Sequence, residues 1–470
     1  MAYKDLREFM AALEKKGLLA RVEVEVDSEW EINGIAKKLI DDGGPAVLFE
    51  KVKGHRVPVL CNLIGTLERL ALALEMPVDD KLITEEWLSR VKNPIPPKVV
   101  KTGPCKENIL VGNKADLNAI FPPVLWHKDD GGPYIGTLGL QVTRDPETGV
   151  QNTGIYRQMV RTKNETGLYW DPYQHGAQHC QKWQRMFPGK SMPVAVAIGT
   201  EPAYLLAAAS KFRHPPAEDD YAGALRRDPL ELIKCETCDL QVPATSEIVL
   251  EGEVYPEELK PDGPFGEYTG YMGDAQMFNV FHLKVITHRN DVIFHGEREG
   301  YPSEDTFTWV KGLEYLAYEK FKKLSGVIDV HLPPESCGFK LILSVRKLWP
   351  GYVNEIIHAV WGDIDLGGFF KIVVVVDENI DVRNRLQVEW AIGNHVQPER
   401  DMLIAQRCPT TGLDVSQPYS KRLWSSKCGI DATLPTEEYE AEGTKPPLLC
   451  DDPDIKARVE AQWDKYGIII

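Results

Sequence analysis

Apolar residues recur at helical spacing near the start of the chain. Leu6, Phe9, Met10 and Leu13 fall on one face, and Gly17 follows as a helix stop. "SEWE" at 28–31 sets Ser28 three residues before Glu31, the form of a capping box, and predicts a second helix ending near Gly43 and Gly44. "PAVLFEKV" and "VPVLCNLIG" then read as strands. Pro94, Pro96 and Pro97 close this first αβ unit, expected over residues 1–104.

The pattern changes over residues 105–310. Short β-type runs ("TLGLQVTRD", "VAVAIGT", "SEIVLEGEV", "FNVFHLKVITHRNDVIFHGE") are separated by Gly, Pro and Asp. "RDPETGVQNTGIYRQMV" reads as a hairpin with Asp145 to Gly149 at its tip. Such a texture predicts a mostly antiparallel sheet or barrel. In the third part, residues 311–470, Leu313, Leu316, Ala317, Phe321 and Leu324 mark an amphipathic helix. "KIVVVVDENIDV" (371–382) has the continuous β-branched run of a strand buried on both faces, as in an α/β layer. The last forty or so residues, rich in Pro and acids, read as an extended tail.

At 470 residues the chain exceeds what one core supports, which agrees with three parts. A formal net charge of −16 disfavours non-specific nucleic-acid binding, although local cations can still hold an anionic ligand. Nine cysteines without a dense framework suit a reducing compartment. The opening "MAYKDLREFM" has no apolar signal region, and no apolar run approaches the ~18 residues of a membrane span. The expectation is a cytoplasmic protein with no membrane partner.

Most motifs have an ordinary reading beside the chemical one. "FPGKS" (187–191) ends like a phosphate-binding loop, but Gln184 stands where the opening glycine belongs. "CETC" (235–238) lacks the second pair of a zinc site, so Cys235 and Cys238 read as half-buried thiols. No GxGxxG precedes a helix, so a Rossmann cofactor is not indicated. "HGAQH" places His175 and His179 at i and i+4, as zinc hydrolases do, but Gly176 replaces their Glu. "NTGIYR" carries Asn152 and Arg157 at an odd offset, on opposite faces of a strand unless the chain bends, for which Gly154 is the candidate. Glu218 to Asp220 read as a helix start. "PDGPFGEYTGY" (261–271) resists a bland account: its prolines and glycines break regular structure, Phe265, Tyr268 and Tyr271 call for burial, and two acids, Asp262 and Glu267, sit among them.

Together, "NTGIYRQM", "KCETCDLQVPATSEIVLEGEV" and "PDGPFGEYTGY" resemble the UbiD family of reversible decarboxylases that use prenylated flavin mononucleotide, and the resemblance runs through essentially the whole chain. It implies an α/β (α+β) fold: an N-terminal αβ unit, a central antiparallel split β-barrel that binds the flavin, and a C-terminal α/β unit that drives oligomerisation. It implies an acid–arginine–acid core, which matches Asp262, Arg157 and Glu267 here. A Mn²⁺-type ion on the flavin phosphate would take Asn152, His175 and Glu218, with His175 chosen on its spacing after Arg157 and His179 as its rival. A potassium ion beside the same phosphate is also implied. Thr153, Ile155, Gln174 and Lys371 complete the implied cofactor contacts, and Tyr268 is an expected pocket wall.

The residue types suit that chemistry. Losing CO₂ from an sp² carbon leaves charge that side chains cannot absorb, so a flavin electron sink is required. Arg157 can pair with the substrate carboxylate or hold the two acids, and Glu267 is the expected proton donor. The flat ring of Tyr268 favours an aromatic, heteroaromatic or α,β-unsaturated acid. One departure is Asp262, where some subgroups carry the longer Glu. Implied partners are the acid and CO₂, a prenyltransferase that supplies the cofactor, and further copies of the chain (dimer or hexamer). Two competing readings are a subunit of a multi-subunit carboxylase and a metal-dependent hydrolase built on "HGAQH".

Overall fold

A computed structural model describes residues 3–172, 174–212, 214–418, 424–435, 443 and 453–467. The first amphipathic stretch forms the helix Leu6–Lys15, burying Leu6, Phe9, Met10 and Leu13. Asp5 caps it by accepting from Glu8 N at 3.0 Å, and Gly17 adopts a φ of +71° just past its end. The second helix, Glu31–Asp41, departs from expectation at its start: Trp30 occupies the cap position and no side chain caps it. Glu31 instead reaches back to Asp27 N at 2.6 Å, and Ser28 is buried. The capping box therefore does not form; half of its reciprocal pairing survives, shifted by one residue.

Strand Leu19–Val26 runs parallel to Ala46–Val52, which pairs antiparallel with Val59–Cys61. The fourth strand of this sheet is Phe294–His295, contributed by the middle region and parallel to Val59–Cys61. The middle region thus returns to complete the N-terminal sheet.

The central sheet has eight strands. Its path begins at Gln151–Ile155 and passes through Leu140–Arg144, Met192–Ile198, Ile248–Asp262, Gln276–His288 and Glu165–Leu168 to Val160–Thr162, with Asn108–Val111 as a side branch. Every pairing in it is antiparallel. The two ends of the path are consecutive in sequence, joined only by residues 156–159. Six inter-strand gaps of a flat sheet would put these edges ~29 Å apart. Five residue steps can span at most ~18 Å. The sheet must therefore curl until its edges face one another, and residues 156–159, Arg157 among them, bridge the slot. That is the split-barrel geometry expected.

The expected bend in "NTGIYR" is displaced. Gly154 keeps regular register opposite Gln141, and the strand ends one residue later at Ile155. A Cβ on Gly154 would lie 2.5 Å from the Tyr156 hydroxyl, so Gly154 makes room for the ring that folds back as the chain leaves the sheet. "PDGPFGEYTGY" likewise contains more regular structure than its composition predicts. Pro261 and Asp262 end the long strand Ile248–Asp262, and Phe265–Gly266 pairs with Met272–Gly273 in a minimal hairpin.

In the C-terminal part, Ile372–Asp377 lies between two parallel neighbours, Lys340–Val345 and Trp424–Ala432, and Val373 to Val376 are fully buried. Each such valine contributes ~1.5–3 kcal/mol on burial, which is why this run holds the centre of the layer. The helix Trp309–Phe321 packs on the same core. Of the expected extended tail, residues 436–442, 444–452 and 468–470 lie outside the described residues, while Pro453–Glu460 is helical. Among the described residues no helix is long and apolar enough to cross a membrane.

Candidate active site

Two groups of side chains converge on the slot. The first starts from the edge strand Gln151–Ile155. Asn152 Oδ1 lies 2.6 Å from His175 Nδ1, the first residue of helix His175–Met186. Glu218, first residue of helix Glu218–Arg226, accepts from Thr153 N at 2.8 Å. His175, His214 and Glu218 each offer one donor atom within 4.8 Å of the others. Of the two histidines in "HGAQH", His175 therefore faces this cluster. His179 is bonded elsewhere, with Nδ1 2.9 Å from Thr143 Oγ1 and Nε2 3.9 Å from Asp145.

Burial dominates the electrostatics of this group. Burial pushes Glu218 up to about 8, and the hydrogen bond from Thr153 only partly offsets it. Burial, then the neighbouring His214 and Lys211, pushes His175 down. Both ring nitrogens of His214 and Nδ2 of Asn152 are buried without hydrogen-bond partners. A carboxamide oxygen, a carboxylate and neutral imidazoles that need partners are a donor set suited to a Mn²⁺-type ion. The residues present fit such a group.

The second group surrounds Arg157, which is 8% exposed. Its Nη1 donates to Glu267 Oε1, and its Nε lies 3.5 Å from Asp262 Oδ1. The guanidinium sits over the rings of Tyr169 and Phe265, 4.3 and 5.0 Å from their centroids, and both ring faces attract its charge. Asp262 is fully buried and neither of its oxygens makes a hydrogen bond. Gly167 backs it so closely that a Cβ there would meet Oδ2 at 1.8 Å. A second guanidinium, Arg161, stands 3.9 Å from the same oxygen. The shorter arm of Asp262 thus holds its carboxylate between two arginines. Burial raises Asp262, and Arg157 and Arg161 oppose it. Burial likewise raises Glu267, with Arg157 opposing and Asp305 and Asp130 adding to the rise. Asp130 also braces the hairpin, accepting from Gly266 N at 3.0 Å.

The remaining expected residues fall in several places. Thr153 Oγ1 is 2.9 Å from the Tyr204 hydroxyl, and Ile155 is half-buried at the strand end. Gln174 occupies the cap position before His175, its side chain accepting from Asp171 N at 2.8 Å. Tyr268 stands against Trp309, ring centroids 5.1 Å apart. Lys371 is not brought to the cluster: its Nζ binds Asp414 Oδ1 at 2.9 Å and Ser416 in the C-terminal part. The lysines whose charges bear on His175 are Lys211 and, after it, Lys182. Sequence reasoning missed Lys211, Arg161 and His214. Only the spacing of His214, four residues before Glu218, hinted at it.

The family models agree with this architecture along the chain. Residues 10–97, 98–302 and 312–432 match, in turn, the N-terminal, the Rift-related and the C-terminal domains of 3-octaprenyl-4-hydroxybenzoate carboxy-lyase. The chain is a carboxy-lyase and belongs to the UbiD family. Solved structures similar to it include the UbiD-class enzyme HmfF of Pelotomaculum thermopropionicum in complex with FMN, at 34% identity and a TM-score of 0.85 over 96% of this chain and 98% of that one. The closed form of vanillic acid decarboxylase from Sedimentibacter hydroxybenzoicus has 31% identity and a TM-score of 0.89 over 100% of both chains. At 24% identity, 3,4-dihydroxybenzoic acid decarboxylase of Klebsiella pneumoniae shares the fold, with a TM-score of 0.81 over 97% of this chain and 99% of that one.

Proposed function

We propose that this chain catalyses the reversible, non-oxidative decarboxylation of an aromatic, heteroaromatic or α,β-unsaturated carboxylic acid with prenylated FMN. The observation that carries the reading is Arg157 at the barrel slot, joined to the buried Asp262 and the half-buried Glu267 and five residues from Asn152 of the ligand cluster. Bound prenylated FMN would supply the electron sink that side chains lack. Asn152, His175 and Glu218, with His214 added from the geometry, would hold its Mn²⁺-type ion, and Lys211 stands ready to offset a phosphate. A potassium ion next to the phosphate belongs to the same reading.

Arg157 stays cationic because its neighbouring acids outweigh its burial. It orients the incoming carboxylate, with Tyr169 and Phe265 preventing the guanidinium from swinging away. Glu267 holds the proton that replaces CO₂. Its burial favours the protonated form while Arg157 stabilises the ionised one, so the proton can leave and return at modest cost. Tyr268, hydrogen-bonded through its hydroxyl to Cys337 O at 3.4 Å, forms a flat wall.

Deuterium exchange from D₂O into a panel of aromatic acids and their decarboxylated products, using holoenzyme, tests the reading. Glu267→Gln should keep the flavin absorbance and lose ~10²–10⁴-fold in exchange. Full exchange in that variant removes Glu267 as donor, and a colourless wild type active with zinc restores the hydrolase reading. The Sedimentibacter relative is a VdcCD protein, which favours testing a subunit role too. Turnover by the purified chain with cofactor alone disposes of it. Ile364, Leu386 and Ile404 in the C-terminal part are 98, 82 and 56% exposed, which supports self-association there. Light scattering should report a dimer or hexamer. A cytoplasmic home and a prenyltransferase as cofactor source complete the proposal.

A further inference from the structure

Asp262 and Glu267 compete for one arginine, and the chain supplies a second to only one of them. Arg157 donates through Nη1 to Glu267 Oε1 and brings Nε to 3.5 Å from Asp262 Oδ1. Burial raises both acids, so these contacts alone do not decide which of the two holds a proton. A proton on Asp262 would leave Glu267 ionised against Arg157, with nothing to deliver where CO₂ departs. The second arginine, Arg161, breaks the tie. Its Nη2 lies 3.9 Å from Asp262 Oδ2, which is its one ion pair within 4.0 Å among the described residues.

The fold aims Arg161 there. Strand Val160–Thr162 forms one edge of the slot and pairs with Glu165–Leu168. Val160 faces Thr166 and Thr162 faces Glu165, so two steps on one strand answer one step on the other. Arg161 is the extra residue of a β-bulge, which leaves it outside the ladder and redirects its side chain. Arg161 Nη2 also donates to Pro261 O, the carbonyl just before Asp262, which fixes the guanidinium along the end of strand Ile248–Asp262. From the partner strand Gly167 closes the remaining side: a Cβ there would lie 1.8 Å from Asp262 Oδ2 and 3.4 Å from Arg161 Nη2. Both oxygens of Asp262 and the Nε atoms of Arg157 and Arg161 are buried without hydrogen-bond partners. At 3.5 and 3.9 Å the two guanidinium groups are close enough for charge to act on Asp262 without a direct hydrogen bond.

The other groups around Asp262 leave this arrangement intact. Tyr134 is fully buried, burial pushes its phenol up so that it stays neutral, and its hydroxyl donates to Pro264 O at 3.4 Å. Gln276, the partner of Asp262 in register, is uncharged. Lys260 and Glu165, on the flanking strands, pair with each other at 3.0 Å. On the other side Asp305 and Asp130 add to the rise of Glu267, so the surrounding charges tilt the pair the same way. We infer that Arg161 is a positioning residue that holds Asp262 as an aimed carboxylate and so confines the exchangeable proton to Glu267. This rests on the decarboxylase reading and assigns the proton within its acid–arginine–acid core.

The test follows deuterium exchange by holoenzyme against pH in wild type, Arg161→Gln and Arg161→Lys, with flavin absorbance as the check that each has loaded cofactor. The acid limb of the profile, where Asp262 takes up a proton, should move up by about one pH unit or more in Arg161→Gln. In Arg161→Lys, which restores the charge, it should return to within about half a unit of wild type. A limb unmoved in flavin-loaded Arg161→Gln overturns the inference and leaves the decarboxylase reading standing. Infrared difference spectra give a second readout that needs no turnover. The protonated-carboxyl band that is lost in Asp262→Asn should be absent from wild type at neutral pH, and on acidification should appear about one pH unit earlier in Arg161→Gln. That band in wild type at neutral pH overturns the inference even where no Arg161 variant folds. Absence of exchange into every acid removes the decarboxylase reading and the proton assignment with it, while the infrared band still decides whether Arg161 holds Asp262 ionised.

Discussion

Two clusters of candidate ligands in this molecule share a donor spacing and have opposite electrostatics. Asp80, Glu314 and His331 bring their donor atoms within 4.8 Å, as do His175, His214 and Glu218. In the first, Lys311 Nζ lies 2.5 Å from Asp80 and also binds Glu314, while Arg383 lies 3.6 Å from Glu314 and 2.9 Å from Asp329. Burial alone would raise Glu314, but Lys311, His331 and Arg383 outweigh it and hold it down to about 2. In the second cluster no lysine or arginine among the described residues pairs with Glu218, and burial takes it up to about 8. Donor geometry alone does not distinguish a structural knot from a ligand site. What distinguishes them is whether the chain itself provides the compensating charge.

The largest test of that contrast removes the internal cation. Lys311→Met should cost ~3–5 kcal/mol in denaturant unfolding, because Glu314 is left buried without a partner. Most of the loss should return in the double variant with Glu314→Gln. A loss below about 1 kcal/mol would break the comparison. The second cluster should respond in the other direction. Mn²⁺ at a hundred times its dissociation constant should stabilise the apo-protein by ~2.7 kcal/mol, an effect absent in Glu218→Gln. That variant should be no less stable than wild type without metal, since it removes an acid that burial holds at about 8. Next, His214→Ala should weaken Mn²⁺ binding by ~10–100-fold in calorimetry, whereas His179→Ala should leave it unchanged. Equal losses from both would return His179 to the ligand set.

The smallest effect is in pH. Glu218 in the unfolded chain gives up its proton near the ordinary glutamate value of 4.5, and in the folded chain at about 8. The unfolded state therefore binds fewer protons across that window, and apo-protein stability should fall as pH rises through it, by ~1–2 kcal/mol after solvent relaxation. Saturating Mn²⁺ should abolish the slope. Glu314 has the opposite sign: its stability is present above 4.5 and is lost as pH falls toward 2.

Arg157 and its two acids could be picked out from the chain because each is embedded in a distinctive run, "NTGIYR" or "PDGPFGEYTGY". The helix Leu6–Lys15 was legible because its apolar period records which face is buried, and the valine-rich strand Ile372–Asp377 because an unbroken β-branched run records burial on both faces. Ser28 failed as a cap because "SEWE" satisfies the spacing while Glu31 prefers Asp27 N. His214 carries no local signature. Its meaning depends on lying 5.0 Å from the His175 ring, and the two are thirty-nine positions apart in sequence. Lys371 shows the converse, since a lysine opening a family-like strand is spent on Asp414.

Local pattern thus prescribed most of the elements, their three-part order and the charged residues Arg157, Asp262 and Glu267. The closure of the central sheet was not contained in any one segment. It follows from joining both edges of the path through residues 156–159, which puts Arg157 where Asp262 and Glu267 can meet it. The partnering of charges was likewise a tertiary outcome. Whether a buried acid is neutralised by a lysine, shared with an arginine or left open for a ligand depends on distances between remote segments. Coulomb energy and desolvation respond to those distances, and not to neighbours in sequence.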